Sequence, residues 1–404
     1  MDDERQAGGF SDDAGEASPD WRITLNDSIN VIPADDWDRC AGPANPLQSH
    51  ALLKAMEDSG SAIADTGWMP RHLTLTDADG RIHGVMPLYI KSHSYGEYVF
   101  DHSWANAWQR AGGQYYPKAQ SAIPFSPVPG QRLLIDSPDP DAAFIALAHG
   151  AIEATDAMNL SSLHITFLSG GETEGLNRQD PRWINRKGVQ FHWRNQGFDH
   201  FDDFLGLMAA RKRKTIRRER REMQGLRFHH LTGDDLTPAH WDRFYQFYLA
   251  TIEKKWGGAY LTREFFDIIS QTMADRVLLV MAEDEGEMIA GALNFIGTDT
   301  LYGRNWGCLD DRPFLHFETC YYQAIDFAIA RGLTTVEAGA QGLHKVQRGY
   351  APVPTYSSHY IPHEEFARVI ADFTRREALQ VDREIKELDG WSPYRKDASG
   401  DHQP

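Results

Sequence analysis

Two hairpins of one design, about two hundred residues apart, are what most limits the folds open to this 404-residue chain. Arg71–Thr76 alternates and ends in the turn signal Asp77-Ala78-Asp79-Gly80, after which Arg81–Ser92 reads as a long strand. Val277–Ala282, the acidic turn Glu283–Glu287 and Met288–Gly297 repeat that arrangement. Ile82, Gly84, Tyr95 and Gly96 reappear 207 residues later as Ile289, Gly291, Tyr302 and Gly303. A tandem duplication with weakly similar halves is expected.

After each hairpin the pattern supplies a strand, a helix and a strand. In the first half these are Ala122–Pro127, Asp139–Met158 and Ser162–Leu168; in the second they are Leu301–Leu309, Phe314–Arg331 and Thr334–Ala338. The helix after Pro313 places Phe317, Tyr321, Ala324, Ile325 and Ala328 on one face. Trp21–Pro33 reads as an entry strand, and a helix from Ala34, interrupted at Gly42-Pro43, resumes to Ser59. The expectation is an α+β fold of two tandem units with mixed sheets, spanning 21–200 and 225–390, with tails at 1–20 and 391–404.

Between the units, Phe201–Gln224 reads as one helix. Its segment Arg211–Arg221 holds eight cations and one anion in a chain of net charge −17, leaving the remainder near −24. That charge argues against general nucleic-acid binding by the body, while Arg211, Lys212, Arg213, Lys214, Arg217 and Arg218 are candidates for an anionic ligand or partner. A solvated helix docked on an acidic body would have the same sequence.

With 41% hydrophobic residues the chain can bury a sizeable core, and no apolar run reaches the roughly 18–20 residues needed to cross a bilayer. The acidic start lacks a signal-peptide pattern, so a cytoplasmic protein with a disordered tail is expected. Cys40, Cys308 and Cys320 lack metal-ligand spacing and read as buried small hydrophobes, so neither a metal nor a disulfide is expected.

Candidate site residues cluster after the second hairpin. Arg304, Asn305 and Trp306 lie on one strand and Glu337 on another, so their polar groups can converge. Gln341 and the cationic segment His344-Lys345-Val346-Gln347-Arg348-Gly349-Tyr350 follow. His316 and Glu318 are two apart at a helix start and cannot form one metal-binding face. In the first half His93, Tyr95, Glu97, Asp101 and His102 crowd one strand and its loop, while Trp104, Trp108, Tyr115 and Tyr116 suit core or interface packing.

The doubled order of elements, with Tyr302–Cys308, Phe314–Gln323, Glu337–Gly342 and Lys91–Asp101, resembles the FemAB-like group of tandem proteins with the GNAT acyltransferase fold. The resemblance covers nearly all of the chain after Asp35. It implies two GNAT-like domains joined by the basic helix, and transfer of an acyl or aminoacyl unit onto an amino group. Characterised relatives use aminoacyl-tRNA and a peptidoglycan precursor, which makes tRNA an implied partner and a small-molecule or peptide amine the implied acceptor. In them a cation near a Lys/Arg-Gly-Phe segment is thought to hold the oxyanion; Arg348-Gly349-Tyr350 sits in the matching place, so Arg348 or Lys345 inherits that role. Glu337 or His344 is then the candidate base, and His93, Tyr95, Glu97, Asp101, Arg304, Asn305, Trp306, His316, Gln341 and Tyr350 are candidate substrate contacts.

The chemistry needs these residue types. Amine attack on an ester or thioester passes through an oxyanion, and a fixed donor there lowers the barrier by about 3–4 kcal/mol. Glu337 can equally be a carboxylate bridged to Arg304. Enzymes of this fold that use acetyl-CoA grip pyrophosphate with a Gly-rich loop before the main helix. Here Cys308-Leu309-Asp310-Asp311-Arg312-Pro313 has no glycine and two carboxylates, so acyl-CoA is the weaker donor and aminoacyl-tRNA the stronger, with no permanently bound cofactor. The competing readings are an acyl-CoA-dependent transferase and a non-catalytic anionic-polymer binder on a degenerate GNAT fold. Donor, acceptor and oligomeric state are open at this level.

Overall fold

The computed structural model describes residues 20–253, 258–310, 312–339 and 342–395. The first half runs β1 (Arg22–Asn26), α1 (Ala34–Ala41), α2 (His50–Asp58), β2 (Trp68–Pro70), β3 (His72–Thr76), β4 (Ile82–Met86) and β5 (Tyr89–Lys91). It continues through α3 (His102–Arg110), β6 (Lys118–Ser121), β7 (Leu134–Ile135), α4 (Pro140–Ala157), β8 (Leu163–Leu168), α5 (Gly170–Gln179) and β9 (Ile184–Arg194). Next come α6 (Phe201–Leu207), α7 (Ala210–Glu222), β10 (Arg227–Leu231), α8 (Pro238–Glu253), α9 (Arg263–Thr272), β11 (Val277–Asp284), β12 (Glu287–Ile296) and β13 (Thr300–Cys308). The chain then forms α10 (Leu315–Phe317), a π-turn (Glu318–Tyr322), α11 (Gln323–Ala330), β14 (Thr335–Glu337), β15 (Ala351–Tyr360) and α12 (Glu364–Asp389). Strand, two helices, hairpin, strand, helix, strand is the order in both halves, the α+β tandem GNAT-like fold expected.

Two sheets carry it. One has the order β1-β3-β4-β7; the other has eleven strands, β10-β11-β12-β13-β14-β9-β15-β8-β6-β5-β2. The halves exchange their last strands: β9 of the first half pairs with β14, and β15 of the second pairs with β8 as well as β9. An isolated half would therefore leave long unpaired edges. The apolar core crosses the boundary too, since Leu52, Met56 and Trp68 share one cluster with Trp241, Phe266 and Phe295. Among the described residues no helix is long and apolar enough to cross a membrane.

Several expected elements differ in detail. The long strand Arg81–Ser92 breaks at Pro87, which has no N–H for a ladder, so β4 stays in the small sheet and β5 enters the large one. Ala122–Pro127 is a loop and the strand lies upstream, at β6. Phe201–Gln224 is two helices: Met208 is buried in an extended conformation, and the Ala209 N–H donates to the Pro393 carbonyl at 2.9 Å.

The numerical repeat does not survive residue by residue. Tyr95 stands in an exposed turn, whereas Tyr302 is buried near the start of β13. Both hairpins carry a bulge at the same offset, between Leu75 and Thr76 and between Ala282 and Glu283. Gly84 then pairs with Leu75 but Gly291 with Met281, one register step apart, because the second turn is one residue shorter. The two glycines also serve different helices. A Cβ on Gly84 would meet Leu147 of α4 at 2.7 Å, and one on Gly291 would meet Phe244 of α8 at 3.0 Å. Architecture repeats; the four identities do not mark equivalent positions.

Candidate functional site

The site is opened by a pair of parallel strands that part company. β13 and β14 pair only through Thr300↔Thr335, Leu301↔Val336 and Tyr302↔Glu337, after which β13 runs on to Cys308 against β12 alone. At the point of divergence Leu293 faces Asn305 while Asn294 faces Gly303, so Arg304 is the extra residue of a β-bulge. A bulge re-aims its side chain, and the Arg304 guanidinium turns across to donate to the Phe125 carbonyl of the first half at 2.6 Å.

The diverging strands, the first half and α12 enclose a cleft of about 990 Å³. Arg304, Asn305, Trp306, His316, His344 and Lys345 line it, six of the residues singled out in the sequence. Lys345 lies in the short helix Leu343–Arg348, which comes after β14 in the chain. Its ammonium donates to the Ala338 carbonyl at 2.5 Å and the Gly339 carbonyl at 2.9 Å. An ammonium has three N–H donors, so among the described residues one remains without a partner. Burial lowers the Lys345 pKa to about 8, since a desolvated ammonium is disfavoured. The His344 Nε2 lies 2.8 Å from the Tyr321 hydroxyl, and burial, with Arg348 and Lys345 nearby, lowers its pKa and keeps the imidazole neutral. The π-turn sets Tyr321 at this spot, between His344 and Tyr350.

Other expected residues lie elsewhere. Glu337 is buried beside the cleft and does not line it. Burial raises its pKa to about 8 against the pull of Arg304 and Arg194, and burial drives His192, whose Nε2 is 3.7 Å away, down to about 3. Both shifts favour the uncharged form. Arg304 and Glu337 form no ion pair within 4 Å. Arg348 points away from the cleft: it donates to Glu219 Oε1 at 2.8 Å and to the His344 carbonyl at 2.9 Å, with its guanidinium 3.3 Å from the Phe317 ring centre. Tyr350 is packed behind Tyr321, and Gln341 lies outside the described residues. His93 and Tyr95 pack against each other with tilted rings in a turn outside the cleft, while Glu97 and Asp101 are buried with Lys118.

Tyr98, Phe100, Arg186, Tyr248, Tyr260 and Glu377 line the cleft without having been singled out for it. Only Tyr98 and Phe100 left a trace in the sequence, as aromatic residues between Glu97 and Asp101. The others come from β9, α8, the loop before α9 and α12. Arg186 is held by a bidentate pair with Glu377 of α12, at 2.7 and 2.8 Å.

Glu337 offers a direct check on this electrostatic description. Its folded pKa lies above the unfolded value, so the folded state holds a proton that unfolding releases, and stability falls as pH rises from about 5 to about 8. Glu337→Gln is expected to remove that slope. Urea midpoints should match wild type near pH 5 and exceed it progressively up to about pH 8; parallel curves would show Glu337 to be ionised in the fold.

The α7 cations divide between two faces. Arg220 pairs with Glu318 at 3.1 Å and Asp326 at 2.6 Å, Lys212 reaches Gln347, and Glu219 is buried against Arg348. Arg211, Lys214, Arg217, Arg218 and Arg221 are exposed along the outer stripe. Of these five, only Arg217 has a carboxylate partner among the described residues, the exposed Asp202 at 2.8 Å.

Comparison with known proteins agrees with this picture. The model of the FemAB-like family, described as peptidoglycan biosynthesis/recognition, matches residues 28–396. No curated protein matches. Among solved structures, FemX superposes with a TM-score of 0.54 at 14% identity, covering 84% of this chain and 98% of its own. The C-terminal domain of a putative lysylphosphatidylglycerol synthetase from Agrobacterium fabrum gives 0.53 at 11% identity, over 84% and 96%. A tandem GNAT protein of the clavulanic acid pathway also matches, with a TM-score of 0.44 at 10% identity over 84% and 98%. With a family model spanning residues 28–396, this chain belongs to the FemAB-like family.

Proposed function

We propose that the protein transfers an aminoacyl group from an ester donor to an amine acceptor in the cleft between β13 and β14. The observation that carries this reading is the Lys345 ammonium, held by two carbonyls and left with one N–H unpartnered among the described residues, beside a neutral His344 in the half-open cleft. In the tautomer whose Nε2–H donates to Tyr321, the His344 Nδ1 lone pair is free to take the acceptor's proton. The amine nitrogen then bonds to the carbonyl carbon, Lys345 holds the oxyanion, and the C–O bond breaks with the proton passing to the leaving oxygen.

The donor assigned by this reading is aminoacyl-tRNA. The loop before α10 is occupied by its own ion pairs, Arg312 with Asp310 and Asp284, each at 2.6 Å, an environment hostile to a coenzyme pyrophosphate. The α7 stripe is the complementary feature, tied through Glu219–Arg348 to the segment that bears Lys345. Replacing Arg211, Lys214, Arg218 and Arg221 together by Gln should weaken tRNA binding at least tenfold. The log–log salt slope should shrink by about 2–4, as each lost phosphate contact removes roughly 0.7–0.9. Unchanged affinity and slope would leave the stripe as a solvated face. The transfer itself is tested by incubating the protein with charged tRNA and lysine-containing peptides and following the acceptor by mass spectrometry. An added aminoacyl mass supports the reading; no product with any charged tRNA, but acylation from an acyl-CoA, overturns the donor.

A further inference from the structure

The wall that the first half gives to the cleft is held by a buried cluster of lysines and carboxylates. Lys91 of β5 and Lys118 of β6 are direct cross-strand partners, and both are fully buried. Like charges directly opposite repel, and a buried ammonium persists only when paired. Every ion-pair partner comes from one turn, residues 94–101. Lys118 Nζ donates to Glu97 Oε2 at 2.7 Å, to Ser94 Oγ at 2.9 Å and to Asp101 Oδ2, whose carboxylate also accepts from Tyr115 at 2.7 Å. Lys91 Nζ donates to the Tyr95 carbonyl at 3.2 Å, lies 4.0 Å from Glu97 Oε1 and sits 3.6 Å over the Trp68 ring.

Between the two clamped carboxylates run Tyr98, Val99 and Phe100, and all three line the cleft. Tyr98 has φ of 59°, a left-handed conformation that a bulky residue does not take unaided. The Phe100 carbonyl accepts from Arg186 at 2.8 Å, joining the wall to the Arg186–Glu377 pair on the far side. Apolar side chains would anchor such a turn without the desolvation cost of two lysines.

We propose that Lys91 and Lys118 are positioning residues that hold Tyr98, Val99 and Phe100 as the substrate-facing wall of the cleft. They act through Glu97 and Asp101 and touch no substrate. This assignment rests on the cleft being the transfer site.

Lys118→Met strands two buried carboxylates and can simply fail to fold, so the decisive variant is the charge-balanced Lys91→Met/Glu97→Gln, which keeps the Lys118–Asp101 pair. Amide hydrogen exchange should accelerate at least tenfold over residues 96–101 and stay within twofold over β11–β13. With charged tRNA and a lysine-containing peptide, KM for the peptide should rise about tenfold with kcat within threefold. Unchanged exchange at 96–101, acceleration spread evenly over both sheets, or an unmoved KM overturns the proposal. If the wild type transfers nothing, the transfer reading fails by itself, and the exchange arm alone then decides whether the lysines hold the wall.

Discussion

Lys345→Met is expected to lower kcat about 10²–10³-fold while KM for either substrate stays within threefold. An oxyanion contact exists only in the transition state, so its loss appears in turnover and spares ground-state binding. Removing one such donor costs about 3–4 kcal/mol of barrier, which sets the magnitude. The pH profile supplies an independent sign. Only the protonated ammonium donates, and the Lys345 pKa is lowered to about 8 by burial, so wild-type kcat should fall as pH rises through about 8. Lys345→Arg keeps a cation at high pH and should move that alkaline limb upward, even though its planar head reproduces the two carbonyl contacts imperfectly. A Lys345→Met enzyme with wild-type turnover would remove Lys345 from the chemistry and leave His344 to explain the cleft.

The second large effect belongs to Arg348, and it is an effect on stability. Arg348→Met leaves Glu219 buried with a carboxylate whose remaining neighbour is the Tyr322 hydroxyl. Breaking a buried pair from one side costs about 3–5 kcal/mol, whereas replacing both partners by apolar or neutral groups is often close to neutral. Urea unfolding should therefore show a strong loss for Arg348→Met and recovery of most of it in Glu219→Gln/Arg348→Met. If the double variant is as weak as the single, the bond to the His344 carbonyl and the stacking on Phe317 hold the segment instead. Stability and catalysis separate here: the refolded double variant should keep kcat within about fivefold if Lys345 alone holds the oxyanion, and lose it about 10²-fold if Arg348 contributes.

Much of this architecture is local and therefore readable. The second hairpin, the helix after Pro313 and the short strand at Thr335–Glu337 each announce themselves by periodicity and turn residues within a dozen positions. The same segment carries Arg304, Asn305, Trp306, His316, His344 and Lys345, so most of one wall of the cleft was visible as a cluster along the chain. Glu337 was visible too, but its protonation was not. That depends on burial between β13 and β9, and the sequence contains no measure of desolvation.

Lys345 and Arg348 show the limit sharply. Three residues apart on a tight helical turn, they looked interchangeable as oxyanion cations; their difference lies in what meets each one. Carbonyls of the turn after β14 hold Lys345 toward the cleft, while Glu219, 129 positions away on α7, draws Arg348 out of it. In the first half, the carboxylates that looked like substrate contacts, Glu97 and Asp101, turned out to be tied to Lys118, and the residues between them face the cleft.

The sequence alone determined the α+β class, the doubled order of elements, the concentration of positive charge on one helix and the family likeness, because each is written in short-range pattern. Only the tertiary structure decided that the halves exchange β9 and β15 into one eleven-stranded sheet, that Pro87 sends one strand into two sheets, and that the cleft draws a wall from each half. Strand partners are chosen by hydrogen bonds and burial between segments nearly two hundred residues apart, as at Leu163 and Tyr360, and no local propensity encodes that choice.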